Sequence, residues 1–240
     1  MKTPSHIRNT KTAILKSTTI FLFGFLVPFI SFGQKVDSII DKKIYTSYYS
    51  FSLRVPLFIT YKLQNGGGDS KRSYFKQEYK SAISSDYVKS GYDRGHLVSA
   101  EDFAYNQSLE DLTFSYYNCF PQNPKLNRGP WKSWEMKIRE ESKIWPLKIY
   151  VGGIYGNLKL KNRVGIPQYC WKVVYNVKTK LLLHVLLFEN NESCKTIRVT
   201  LSQLNEMLPF KIGFNADDGL PTIIVGRFSG IPPFVISSKP

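Results

Sequence analysis

Cysteine is scarce in this chain, with three residues in 240: Cys119, Cys170 and Cys194. No two are separated by two residues, so the usual zinc-ligand spacing is excluded. Three thiols permit one disulfide at most, with one left over. Cys119 is expected to be the free one, because it lies among Tyr116, Tyr117 and Phe120 and suits a small buried hydrophobe. Histidine is equally rare, limited to His6, His96 and His184, which leaves few candidates for an imidazole base. Acid is in short supply too: 18 Asp and Glu stand against 33 Lys and Arg, a net charge of +15. The apolar stretch 20–32 is interrupted by Gly24 and Pro28 and falls short of the ~20 residues that span a bilayer. Finally, Gly66-Gly67-Gly68 is followed by Asp69-Ser70 instead of the Gly-Lys-Ser/Thr of a phosphate-binding loop, so no nucleotide role is assigned there.

What is present begins with residues 1–33. Lys2, Arg8, Lys11 and Lys16 precede the apolar stretch, no acid occurs, and the small residues Ser31 and Gly33 stand before Gln34. That is the layout of a secretory signal peptide, with cleavage expected before Gln34, a secreted or periplasmic location, and no stable membrane association afterwards. An uncleaved anchor is the alternative. Without this segment the chain keeps 29 Lys and Arg against 18 Asp and Glu, a net +11. Such a surplus attracts polyanions, whether nucleic acid, heparin-like polysaccharide or anionic membrane, and it also favours solubility. With 42% hydrophobic and 15% aromatic residues the chain can build one sizeable core. One domain is expected over 45–240, preceded by a polar lead-in at 34–44.

Residues 45–63 mix Tyr, Phe, Val and Ile with Ser and Thr, as two strands would. A mobile loop is expected at 64–72. Strand-like runs follow at 92–103 and 112–120, around a polar connection. A helix is expected from near Pro130, where proline suits the first turn, with Trp131, Trp134 and Ile138 forming an apolar stripe. Strands are expected at 147–154, 169–175 and 181–188, the last two as a hairpin, and a short helix from Thr200, with Gln203 at capping-box spacing and Pro209 marking its end. His184, inside Leu181-Leu182-Leu183-His184-Val185-Leu186-Leu187, is expected to pack in a sheet without functional neighbours. Helices and strands do not alternate regularly and no repeat is visible, so the class is α+β with a mostly antiparallel sheet flanked by helices.

Two segments carry chemistry: Gly91-Tyr92-Asp93-Arg94-Gly95-His96-Leu97, and Asn118 through Trp131 (NCFPQNPKLNRGPW), with Glu135 four residues on. Hydrolysis of a phosphodiester needs a base for water and a cationic group for the charge gathering on phosphorus. His96 has the right ionisation range for the base, since an unperturbed imidazole titrates near pH ~6.5. Arg94 offers a planar fork of donors for phosphate oxygens. Asn127 and Glu135 bring oxygen ligands for a hard ion such as Mg²⁺. With a helix starting near Pro130, Asn127 lies just before its N-terminus. Glu135 is then on the order of 12 Å further along, at ~1.5 Å per residue, too far to be an adjacent direct ligand.

These segments resemble the DNA/RNA non-specific endonucleases of the ββα-metal, or His-Me finger, group. The resemblance rests on Asp93-Arg94-Gly95-His96, on Asn118-x-x-Pro121-Gln122 with Asn127 five residues later, and on Gly129, Trp131 and Glu135. Weaker similarity runs from about Tyr45 through Ile166-Pro167 and Lys172-Val173-Val174-Tyr175 to the region 204–214. It implies a ββα-metal corner, His96 as general base, Arg94 as transition-state cation and Asn118 as a neighbour orienting the site. It further implies Asn127 as sole protein ligand of Mg²⁺, with Mn²⁺ as an alternative ion, and Glu135 as holder of a metal-bound water. Arg72 is placed at a further active-site arginine position that contacts substrate. DNA and RNA are the implied substrates, cut with little sequence preference to leave 5′-phosphate ends. One departure stands out: where the family has Ala-Pro-Ala-x-Asp after the histidine, this chain has Val98-Ser99-Ala100-Glu101-Asp102, so the loop behind His96 is expected to differ in stiffness. A non-catalytic polyanion binder and a phosphodiesterase acting on small or non-nucleic-acid diesters are the rival readings.

Overall fold

In the computed structural model, residues 34–214 and the strand 221–224 are described; the expected signal segment 1–33 lies outside the described residues, as do 215–220 and 225–240. A seven-stranded, wholly antiparallel sheet carries the fold, in the order β1-β2-β3-β6-β7-β8-β9. Its strands are β1 (Ser38–Asp41), β2 (Tyr45–Ser50), β3 (Val55–Leu63), β6 (Leu147–Leu160), β7 (Val164–Asn176), β8 (Leu181–Glu189) and β9 (Thr196–Arg198). The polar segment read from sequence as a lead-in therefore supplies the edge strand, with Ser38 to Asp41 paired against Tyr49 to Thr46. β3 is buried at eight of its nine positions, as expected of a strand covered on both faces. Pro56 lies in it at the register shift between Tyr48 and Tyr49 of β2, a position where the missing N–H does least harm to the ladder.

The pairing register assigns the two faces. Phe58, Gly152 and Trp171 lie in one row across β3, β6 and β7, and Phe210 packs on that face, 4.5 Å from Phe58 and 6.2 Å from Trp171 between ring centres. Phe210 follows α5 (Leu201–Met207), which begins as expected with Thr200 and Gln203 in a reciprocal capping box. The opposite face presents Lys172 and Phe188 to the elements that build the functional corner.

That corner is a two-stranded hairpin, β4 (Asp93–His96) with β5 (Cys119–Gln122), followed by helix. The insertion between its strands differs from the expected strands and connection. Residues 107–113 form α2 (Gln107–Thr113), capped by the Asn106 side chain accepting from the Leu109 N–H, and Tyr116–Asn118 is a 3₁₀ turn. Only the end of the run 112–120 is strand. The helix expected near Pro130 begins earlier, as the short α3 (Pro124–Leu126), passes through a wide turn at Asn127–Trp131 broken at Gly129, and continues as α4 (Lys132–Ser142). Trp131 and Ile138 enter the core, whereas Trp134 stays half-buried. Trp131 meets Phe188 and Phe120 edge-on, which seats α4 and β5 against β8. Asn190, just past β8, clasps the hairpin to the sheet: its side chain donates to the carbonyls of Pro121 and Pro167 and accepts from the Asn123 N–H. All three cysteines are free thiols. Cys119 and Cys170 are buried and Cys194 is half-buried, and no disulfide joins them. Among the described residues no helix is long and apolar enough to cross a membrane.

Candidate active site

Arg94 and His96 stand on β4, and the strand can pair closely with β5 because residue 95 is glycine. A Cβ at Gly95 would sit 2.4 Å from the Gln122 side-chain oxygen, so the Gly of the first motif and the Gln of the second require each other. Behind His96, Asn118 braces the loop: its side-chain oxygen accepts from the Val98 N–H and its amide donates to the carbonyls of Val98 and Thr113. Asn118 is fully buried and does not line the cavity, so it acts through the loop and not on a ligand. The loop that lacks the family's proline is further held by Ser99 and Asp102, both accepting from the Arg139 guanidinium.

A cavity of about 320 Å³ gathers Arg72, Arg94, His96, Asn127 and Glu135, together with Arg128, Lys132 and Glu101. Four cationic side chains against two carboxylates suit an anionic occupant. The His96 ring lies between Phe75 and Phe114, at 4.7 and 4.9 Å. The ring lines the cavity, and its Nε2 is enclosed without a hydrogen-bond partner. Burial, reinforced by the nearby Arg72 charge, lowers its pKa from 6.5 to about 3 and keeps the imidazole neutral.

Arg94 is held in place by donating to the Tyr116 hydroxyl and to both the carbonyl and hydroxyl of Ser84, at the start of α1 (Ser84–Tyr87). Arg72 is exposed, over the Phe114 ring at 5.7 Å. The segment expected to be a mobile loop is tied down: Asn65 and Gly66 donate to Ser142, Ser70 to the Ala104 carbonyl, and Lys71 and Ser73 bond Gln107 and Asp111 of α2.

Two features at the oxygen-ligand side were not read from sequence in full. The first is Asp93. Its carboxylate takes a bidentate pair from Arg128, at 2.7 and 2.9 Å, and accepts from the Asn127 amide at 3.0 Å. Although partial burial opposes it, these donors hold the Asp93 carboxyl below the usual range. Because the nitrogen of the Asn127 amide is engaged by Asp93, its oxygen is the end left for a ligand. The second is a buried charge cluster behind Glu135. Lys172 of β7 is 1% exposed, 3.6 Å from the Glu135 carboxylate and 4.1 Å over the Trp131 ring. Asp102, buried, pairs with Arg139 of α4 and accepts from the Tyr61 hydroxyl. Burial raises the Glu135 pKa to about 7 against the pull of Lys172, and burial lowers that of Lys172. Nothing in the local sequence marks this cluster, since its members come from β3, β7, α4 and the turn after His96.

His184 lies in β8 opposite Val174, packed in the sheet as expected, but it has a charged neighbour. Its Nε2 meets the Glu141 carboxylate at 2.8 Å, and its ring is edge-on to Trp134, over which Lys137 and Arg198 also lie.

A family model described as DNA/RNA non-specific endonuclease matches residues 29–223. Mitochondrial endonuclease G of Homo sapiens is 28% identical over 158 residues, covering 56% of this chain and 53% of its own length. The Bos taurus protein of that name is 30% identical over 154 residues, covering 54% and 51%. A nuclease of a Nostoc species is 36% identical over 90 residues, covering 37% and 33%. This chain thus spans about half the length of the endonuclease G relatives, or less for the bacterial nuclease. The crystal structure of an EndoG/EndoGI complex shares the fold, with a TM-score of 0.61 at 22% identity over 70% of this chain and 82% of that one. The mixed α+β fold with its seven-stranded antiparallel sheet is of that kind, and the chain belongs to the DNA/RNA non-specific endonuclease family.

Proposed function

We propose that this chain is an exported, divalent-metal-dependent endonuclease that hydrolyses internal phosphodiesters of DNA and RNA with little sequence preference. The supporting observation is one cavity in which a neutral imidazole shares walls with two arginines, the Asn127 amide and the Glu135 carboxylate.

The donors fit a hard cation. Glu135 lines the cavity, with its Oε1 paired to Lys172 at 3.6 Å, and the Asn127 oxygen is freed by the bond from its amide to Asp93. Among the described residues no group of three or more His, Cys, Asp or Glu could hold a metal, so Mg²⁺ or Mn²⁺ would rest on Asn127, with Glu135 holding its water shell. When bound, such an ion supplies Lewis-acid stabilisation of charge on the phosphoryl group. The remaining work falls to the chain's own side chains. His96 takes a proton from the water that attacks phosphorus, the bond from phosphorus to the 3′ oxygen breaks, and that oxygen gains a proton from solvent, leaving a 5′-phosphate end. Arg94 and Arg72 place donors against the added negative charge. An imidazole with so low a pKa is a weak base in the empty cavity. The substrate phosphate opposes the Arg72 effect and strengthens it where it is needed.

The test is a digest of plasmid and RNA with and without EDTA, beside His96→Ala. The parent is expected to cut both, EDTA to abolish cutting, and the variant to lose roughly 10²–10⁴ in rate. A parent that spares both nucleic acids yet hydrolyses a chromogenic diester would contradict the nuclease reading, and binding without cutting would favour a polyanion binder. For export, the secreted form is expected to begin at or near Gln34, and N-terminal sequencing that returned Met1 would refute cleavage.

A further inference from the structure

A second cavity, of about 410 Å³, adjoins the first, with Arg72, Arg94 and Asn127 as their common wall. Its other walls are mostly aromatic, from Tyr74, Phe75, Phe114 and Tyr116, with Ser73, Ser84 and one carboxylate, that of Asp93, which is taken up by Arg128 and Asn127. Phe75 and Phe114 are occupied, packed on His96 and on each other. Tyr116 is buried and takes the Arg94 donor on its hydroxyl. Tyr74 stands apart. It is 92% exposed, although the residues on either side are fixed: the Ser73 hydroxyl is bonded to Asp111, and the Phe75 ring is packed against His96. The backbone at Tyr74 is therefore set, and a large aromatic face is presented to solvent beside two arginines.

A cationic wall beside an open aromatic face suits a nucleotide, because arginine takes the phosphate while a base stacks on the ring. Stacking is tolerant of sequence, since every base has a π-face. The hydroxyls of Ser73, Ser84 and Tyr116 in the wall are already engaged, the first by Asp111 and the other two by Arg94. Resting on the nuclease reading above, we propose that this second cavity is the subsite for a nucleotide flanking the scissile phosphate, with its base unstacked from the strand and laid on Tyr74. The subsite favours a single strand, or a duplex locally opened at that position, because a paired base cannot reach the ring.

Tyr74→Ala and Tyr74→Trp test this, with a short single-stranded oligonucleotide and the same oligonucleotide carrying abasic sites on both sides of the cleavage position, a base-free diester, as substrates. On the oligonucleotide, Tyr74→Ala is expected to raise KM by roughly 5- to 100-fold with a much smaller change in kcat, and Tyr74→Trp to restore KM. The loss on the oligonucleotide should exceed that on the base-free diester by about tenfold or more. Equal losses on both substrates, or an oligonucleotide KM the same in Tyr74→Ala as in the parent, would overturn the subsite alone. A parent that cuts neither oligonucleotide nor plasmid would overturn the nuclease reading and the subsite with it.

Discussion

His96 owes its protonation state to its surroundings more than to the solvent, and this has a thermodynamic signature. Its folded pKa of about 3 lies below the ordinary imidazole value of 6.5, so across that window the unfolded chain binds a proton that the native chain refuses. Stability from this group is therefore present above 6.5 and lost as pH falls toward 3, on the order of a few kcal/mol in all. The parent's urea midpoint should drop on acidification between about pH 6.5 and 4, and His96→Ala should show a shallower drop. Parallel curves for the two would contradict the buried, neutral imidazole. A second pair of variants separates proton transfer from metal holding. His96→Ala should keep near-normal Mn²⁺ binding, whereas Asn127→Ala should weaken it and recover activity in part with excess metal. Asp93→Ala should resemble Asn127→Ala in a milder form, because it frees the Asn127 amide to turn. Rescue of His96→Ala by metal would show the roles to be wrongly assigned. These residues were legible in sequence because each lies in one of two short contiguous segments, where identity and spacing survive without tertiary information.

Elements are where the sequence says less. The alternation of Leu112, Phe114, Tyr116 and Phe120 imitates a strand, yet the Asn106 cap starts a helix that reaches Thr113, and only the last residues pair with β4. The glycine-rich loop reads as slack from composition, and its anchoring depends on Ala104, Gln107, Asp111 and Ser142, which only the fold brings near. Gly68 fixes that anchoring. It has φ +126°, and a Cβ there would lie 2.2 Å from the Ala104 carbonyl, so Gly68→Ala should displace the loop and with it Arg72. A rise in KM with little change in thermal stability is expected, and an unchanged KM would show that the anchoring does not position Arg72. Lys172 was readable as a strand residue and unreadable as a partner of Glu135, since β7 and α4 meet only through the packing of Trp131 on the sheet. Lys172→Met removes the charge that restrains the Glu135 pKa, which should climb above about 7. A carboxyl with a raised folded pKa stabilises the fold below its unfolded value of 4.5 and loses that contribution as pH rises through the folded one. The variant's Tm should therefore fall more steeply than the parent's between about pH 5 and 9. Activity at neutral pH should drop and return in part at higher pH, with Lys172→Arg retaining more of it. A variant whose pH profile matches the parent's would refute the coupling.

At the scale of the whole molecule, the surplus of base was visible at once in composition, but its meaning was open, because solubility and polyanion binding predict the same net charge. The structure adds a location. Arg72, Arg94, Arg128 and Lys132 converge on the cavity that holds His96, and Arg72 and Arg94 continue into the adjoining one. Of the four, Arg128 is already neutralised by its bidentate contact with Asp93, which leaves three cations for phosphates. If the surplus serves binding, each phosphate neutralised releases counterions, and three contacts give a slope of about −2.7 in log affinity against log salt. Raising salt from about 50 to about 200 mM should then weaken binding of a DNA duplex to His96→Ala, which does not consume it, by roughly 40-fold. Removing one cation by Arg72→Ala should reduce the slope by about one, because the effect counts contacts and not total charge. Sequence should matter little at any fixed salt, since phosphate contacts are the same along the strand. A flat salt dependence would return the net charge to solubility alone, and a thousandfold preference for one sequence at fixed salt would contradict the non-specific reading. A slope unchanged in Arg72→Ala would move the binding surface away from this cavity.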